Sequence, residues 1–229
     1  MNEPGVIAYH GKDNIYLNIT NRCTCACTFC LREFTDEVYG YPLLLAHEPS
    51  LDEITHALEL AFLDEPADEV VFCGLGEPTL RLPEVLATTE WLRLRRIRAR
   101  LNTNGLGQLA NPGVEVVPAL VRAGLGGVSV SLNAADPQTY DRLCQPIYAK
   151  AFRAVLAFTR ACVAAGLDTA MTVVDHPDID VEACAALADR LGATFRVRGR
   201  AVDRHRPAPR TPAAPATTAG PVRRSPTGG

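Results

Sequence analysis

Two hydrophobic periods take turns along the chain, and that alternation restricts the fold more than any other feature. Residues 15–20 set Ile15, Leu17 and Ile19 against Tyr16, Asn18 and Thr20, the period of two expected of a strand. Further strands are predicted at 69–73, 98–103, 127–132, 169–174 and 194–197. Helical periods fill the gaps. Ser50 and Glu53 form a capping box ahead of Leu51, Ile54, Leu58 and Phe62. Pro83 suits a first turn, with Leu82, Val85, Leu86 and Thr89 on one face. Short helices are predicted at 116–123 and after Asp136-Pro137, and a longer one over 149–165. Asp180 caps a last helix carrying Val181, Cys184, Leu187 and Leu191, and Gly192 stops it.

Strands alternating with helices imply a parallel sheet, either open and doubly wound or curved into a barrel. A parallel strand covered on both faces is apolar on both. Here one face is polar: Asn18, Asn102, Asn104, Ser129, Ser131, Asn133, Arg196 and Arg198. Polar side chains converging on one face suit a polar ligand inside a curved sheet. The expected fold is therefore α/β, a partial (β/α)6 barrel over residues 1–202.

Residues 203–229 differ in kind. They hold six Pro and five Arg but no aromatic residue, and Val222 is their one branched aliphatic side chain. Such a segment cannot bury enough surface to offset its ordering entropy, so a disordered C-terminal tail is expected. The formal net charge is −3, and the tail holds the basic excess. The body therefore gives no direct evidence for nucleic-acid binding. No run of apolar residues is long enough to span a bilayer, and the first ten residues do not have the pattern of a secretory signal.

Four of the eight cysteines, Cys23, Cys25, Cys27 and Cys30, crowd together just after the first strand. A disulfide framework spreads its cysteines, whereas a dense cluster reads as a metal or redox site in a reducing cytoplasm. Thiolates hold iron–sulfur clusters and zinc. Three ligands on a four-iron cluster would leave one iron open. Four thiolates would instead suit structural zinc. Cys73 and Cys184 read as core thiols and Cys162 has no visible partner, while Cys144 stands as a candidate substrate contact. The long stretch 31–49, with Tyr39, Tyr41 and His47, reads either as a cover for a substrate pocket or as a structural loop.

Cys23-x3-Cys27-x2-Cys30 after the first strand resembles the signature of the radical S-adenosylmethionine (SAM) enzymes. Gly74-Leu75-Gly76-Glu77-Pro78 after the second strand is similar to the family's Gly-Gly-Glu-Pro motif, with Leu75 in place of the first glycine. The stretches FCGLGEPT, LNTNG, SVSLNAADPQTYDRLCQP and FRVR resemble a narrower group, the radical SAM proteins associated with TatD-type nucleases. The likeness covers roughly residues 14–200. It implies a radical SAM-type barrel with a [4Fe–4S] cluster on Cys23, Cys27 and Cys30 and with SAM chelating the fourth iron. It implies that Phe29 lies near the adenine and that Gly76–Glu77 accept from the SAM amino group. Asn104, Ser131 and Asn133 would serve the ribose and carboxylate, and Arg198 the carboxylate or the substrate. The reaction implied is reductive cleavage of SAM to a 5′-deoxyadenosyl radical, which takes a hydrogen atom from an unidentified substrate.

The resemblance further implies an electron donor such as flavodoxin or ferredoxin, a functional association with a TatD-type nuclease, and no membrane. No residue is singled out as a catalytic acid or base. The alternatives are a radical-activating enzyme with a partner protein as substrate and, more remotely, a non-catalytic zinc or iron–sulfur protein. Cys25 is the spectator of its loop. Cys25→Ser should keep the bound iron and its absorbance, whereas Cys23→Ser, Cys27→Ser or Cys30→Ser should each lose most of both. Equal loss at all four positions in an iron assay would indicate a four-thiolate site.

Overall fold

The computed structural model describes residues 5–199. The expected tail, 203–229, lies outside them. Seven strands form one sheet: β1 (Ala8–Gly11), β2 (Asn14–Leu17), then β5 (Glu69–Phe72), β6 (Arg98–Thr103), β7 (Gly127–Ser131), β8 (Asp168–Val174) and β9 (Thr194–Arg198). Their order in space is their order in sequence. β1 is antiparallel to β2, and every later pair is parallel.

That order has a consequence. Each right-handed crossover that steps one strand onward returns its helix to the same face of the sheet. Helices α1 (Leu51–Asp64), α2 (Leu82–Leu94), α4 (Val116–Ala123), α5 (Pro137–Cys144), α6 (Ala151–Ala164) and α7 (Val181–Arg190) feed one apolar cluster. The strands contribute one parity to it: Ile15 and Leu17, Val70 and Phe72, Ala99 and Leu101, Val128 and Val130, Met171 and Val173. The opposite parity holds Asn102, Ser129, Ser131, Arg196 and Arg198, so the two-faced reading of the strands holds and the fold is the expected partial barrel.

Local signals held where the side chain itself sets the geometry. Ser50 and Glu53 make the full capping box. Asp136 and Asp180 cap α5 and α7 by accepting from Thr139 N and Ala183 N. Helix 116–123 has the expected bounds. α6 starts at Ala151 rather than 149, because Lys150 takes a left-handed backbone, φ 59°, at its N-cap.

Three features differ from expectation. β1 is an added strand, joined to β2 by the two-residue turn Lys12-Asp13 at φ 49° and 64°. Positive φ at both positions suits a tight hairpin, but the pair lacks the Asn-Gly or Asp-Gly signal. The stretch 31–49 is not irregular throughout: it holds the small hairpin β3 (Glu37–Val38) and β4 (Tyr41–Pro42). Tyr39 and Tyr41 pack beside Tyr16 and Tyr9, and Leu43 joins Tyr9 and Leu75 in a second core. His47 sits on Glu53 at the start of α1, 2.8 Å away. The segment therefore carries structural contacts on the non-helical face. A single turn, α3 (Gly107–Ala110), also follows β6.

Asn18 explains why β2 ends at Leu17 instead of Thr20. Its fully buried amide donates to Val6 O at 3.1 Å and Leu43 O at 2.7 Å, holding two neighbouring segments together. It is a structural residue rather than a ligand-facing one. Among the remaining cysteines, Cys162 and Cys184 are buried core thiols, while Cys73 is only partly buried. Asn18→Ala leaves buried carbonyls without donors, so it should lower stability by about 2–3 kcal/mol. Urea unfolding monitored by circular dichroism checks this; a change within experimental scatter would refute the role.

Candidate active site

The site is built where the strands end, the edge at which β/α folds collect their functional loops. Three loops meet there: the cysteine loop after β2, the glycine loop after β5 and the asparagine loop after β6. Their junction is the Glu77 carboxylate. Its Oε1 accepts from Thr79 N at 3.1 Å, Thr79 Oγ1 at 2.7 Å and Thr103 Oγ1 at 2.7 Å. Its Oε2 accepts from Asn104 N at 2.7 Å. The Glu77 backbone N–H reaches Arg22 O at 2.8 Å, at the doorway of the cysteine loop.

Glu77 is buried, and burial pushes its carboxyl pKa above the ordinary value while the donors from Asn104, Thr103 and Thr79 oppose that shift. The glycines beside it are steric requirements. A Cβ on Gly76 would come 2.3 Å from Arg22 O, and one on Gly74 would come 2.0 Å from Asn18 Oδ1. Leu75, which departs from the glycine pair, turns its side chain into the Tyr9–Leu43 cluster, so the replacement there is accommodated by packing.

The cysteine loop also lies along the end of α5. Ala26 N donates to Gln145 O, Thr28 N to Leu143 O, and Ile147 N to Thr24 O. Cys25 pairs with Pro146 as an isolated bridge. Four side chains lie close enough here to act on one another in turn: Tyr140 on Cys25, Cys25 on Cys27, and Cys27 on Cys144. The thiol pKa of Cys27 is pushed up, first by Cys144; that of Cys25 is pushed up, first by Cys27. Neither Tyr140 nor this role of Cys144 was apparent from sequence. Both lie in α5, far along the chain, and no local signal ties them to residues 23–30.

The other expected residues divide. Asn104 Nδ2 donates to Thr24 Oγ1 at 2.8 Å and lies 3.7 Å from Cys25 Sγ, so it faces the cysteine loop. Ser131 Oγ accepts from Arg198 Nη2 at 3.2 Å, joining the ends of β7 and β9. Phe29 packs against the main core and lies 6.0 Å from the His176 ring, on the loop after β8. Asn133 follows β7 with a left-handed backbone, φ 55°. It is 4% exposed, and its Oδ1 has no hydrogen-bond partner among the described residues. A buried, unpaired acceptor is costly and calls for a missing donor.

Eight cysteines are free, and the C-x3-C-x2-C thiols sit on one loop, a donor set chemically suited to an iron–sulfur cluster. Among the described residues, however, no three His, Cys, Asp or Glu side chains converge closely enough to hold a metal ion, and Cys27 faces Cys144.

Fold and loops together define an enzyme of the one-electron SAM-dependent class. A model of the Radical SAM superfamily matches residues 17–191, and the chain belongs to that family, whose cofactors are a [4Fe–4S] cluster and SAM. Among curated proteins it is similar to GTP 3′,8-cyclase of Corynebacterium glutamicum strain R, 28% identical over 193 residues, covering 80% of this chain and 48% of the relative. It is similar to the GTP 3′,8-cyclase of Mycobacterium sp. strain KMS as well, 34% identical over 133 residues, covering 57% and 35%. The chain thus spans less than half the length of these relatives. In fold it is similar to SuiB of Streptococcus suis bound to the precursor peptide SuiA, with a TM-score of 0.64, 15% identity and coverage of 81% and 38%. A second fold neighbour is anSMEcpe with bound AdoMet, with a TM-score of 0.60, 14% identity and coverage of 81% and 51%.

The Glu77 side chain is committed to four protein donors and ties loops together. Glu77→Ala strands those donors in a buried site. It should cost about 3 kcal/mol or more and lower iron content, not SAM affinity alone. A raised folded pKa gives stability that is full below the ordinary carboxylate range and lost as pH rises through the folded value. Urea midpoints measured across pH should carry that component in the wild type and lack it in Glu77→Gln. An unchanged midpoint in Glu77→Ala would contradict the hub.

Proposed function

We propose that this chain is a radical SAM enzyme in which Cys23, Cys27 and Cys30 hold the [4Fe–4S] cluster. The observation that carries the reading is the C-x3-C-x2-C loop at the carboxyl end of β2, backed by the glycine and asparagine loops through Glu77. When bound, the cluster and SAM supply a 5′-deoxyadenosyl radical after one-electron cleavage of the SAM carbon–sulfur bond, with methionine as co-product.

The chain's own residues bind and orient. Phe29 offers an apolar face for the adenine. The backbone of Gly76–Glu77 accepts from the SAM amino group, while the Glu77 side chain positions that backbone. Asn133 offers its unpaired buried Oδ1 as an acceptor for a ribose hydroxyl or ammonium. Asn104 and Ser131 line the same edge, and Arg198 offers a cation to a carboxylate. Holding SAM in a reactive pose removes orientational freedom from the step that follows.

A flavodoxin- or ferredoxin-type donor supplies the electron in the cytoplasm. Among the described residues no helix is long and apolar enough to cross a membrane. Two narrower readings of the substrate differ in their support. Similarity to GTP 3′,8-cyclases over more than half of this chain favours a purine nucleoside triphosphate. The FCGLGEPT and SVSLNAADPQTYDRLCQP stretches instead support an association with a TatD-type nuclease and an unidentified substrate.

Anaerobically reconstituted protein should bind about four irons, the stoichiometry of such a cluster. SAM added to it should perturb the cluster's spectrum saturably, and dithionite should then yield methionine and 5′-deoxyadenosine. A fully loaded cluster that binds no SAM overturns the reading. GTP that accelerates 5′-deoxyadenosine formation and is itself consumed would support the nucleotide substrate; GTP without effect removes it.

A further inference from the structure

Cys27 and Cys144 stand 117 residues apart in sequence yet face each other across the seam between the cysteine loop and the end of α5. Backbone hydrogen bonds lie on either side of the pair: Ala26 N to Gln145 O at 3.2 Å and Thr28 N to Leu143 O at 2.9 Å. A third, from Ile147 N to Thr24 O at 3.0 Å, and the Cys25–Pro146 bridge extend the same seam. These contacts hold the two cysteines against one another as a feature of the backbone rather than of one rotamer. The Cys144 side chain lies close enough to that of Cys27 to act on it. Both are free.

The two differ in access. Cys144 is 2% exposed, whereas Cys27 is only partly covered. Of the two, Cys27 is therefore the one an oxidant meets first, and Cys144 is the thiol placed to resolve the product. Cys144 has no task in the C-x3-C-x2-C motif.

We propose that, in the cluster-free protein, Cys27 and Cys144 form a reversible disulfide that withholds the middle cluster ligand, so that cluster assembly requires prior thiol reduction. The assembly half of the proposal rests on the reading of Cys27 as a ligand. With oxidised glutathione as the disulfide oxidant, the Cys27 sulfur displaces one glutathione thiol and forms a mixed disulfide. The Cys144 sulfur then attacks the Cys27 sulfur and displaces the second glutathione thiol. Two protein thiols are oxidised to one disulfide, the glutathione disulfide is reduced to two thiols, and the two protons are carried by those thiols.

Tyr140 and Cys25 complete the seam. Cys25 also lies close to Cys27, which makes a Cys25–Cys27 bond the competing product. The two outcomes separate cleanly by digestion. Trypsin releases residues 23–32, with Cys23, Cys25, Cys27 and Cys30, apart from residues 143–150, with Cys144.

The test uses the full chain, stripped of iron, equilibrated with oxidised glutathione, alkylated and mapped by mass spectrometry. The expected result is a linked pair of peptides, 23–32 with 143–150, fragmenting to place the bond at Cys27. Dithiothreitol should remove it. The oxidised protein should lose most of its iron uptake, and reduction should restore it. Cys144→Ala and Cys144→Ser should give no linked peptide and should load iron without pretreatment. Cys144 found as a free or singly glutathionylated thiol in the oxidised wild type overturns the proposal, as does a Cys25–Cys27 bond in its place; both leave the radical SAM reading intact. Reduced wild type that takes up no iron would overturn that reading, and the assembly half of the proposal with it.

Discussion

A single buried carboxylate holds the functional edge of this barrel together. Glu77 is taken from water, which disfavours its charged form, and it accepts from Thr79, Thr103 and Asn104 in return. Its own N–H fastens the cysteine loop through Arg22 O. Three loops from three strands thereby share one anchor. In a low-dielectric site such an anchor is directional, and it leaves costly unpaired groups if broken. The same constraint makes Gly74 and Gly76 obligatory, since the glycine loop must approach the cysteine loop backbone to backbone.

The anchor stands on a scaffold whose order simplifies the rest. Because the strands are laid down in sequence order, all helices return to one face and one parity of strand residues forms the main core. The other face is divided. Near β1 and β2 it is filled by the 31–49 segment, with Tyr9, Leu43 and Leu75 buried together. Toward β7 and β9 it keeps its polar residues, including the Arg198–Ser131 contact.

The cysteine loop has two sets of attachments with different consequences. One set, through Arg22 O and Asn104, joins it to the glycine and asparagine loops at the strand ends. The other joins it to residues 143–147 and sets Cys27 against Cys144.

Much was legible from residues alone because the signals are local. Period-two and helical stretches, the Ser50–Glu53 box, the Asp136 and Asp180 caps and the polar parity of β6, β7 and β9 each depend on neighbours within a few positions. So does the cysteine spacing, which pointed to a metal site and carried the resemblance to the radical SAM enzymes. Three matters needed the folded chain. Asn18 looked like a ligand-facing amide until Val6 and Leu43 were brought to it. That the Glu77 side chain would gather Thr79, Thr103 and Asn104 could not be read from its motif. Cys144 and Tyr140 had no visible connection to the cysteine loop. Sequence specifies which groups a residue carries and the period in which it repeats. Which distant donor, acceptor or thiol comes to face it depends on how strands and helices close on one another, because hydrogen bonds and sulfur contacts act only over a few ångströms of folded space.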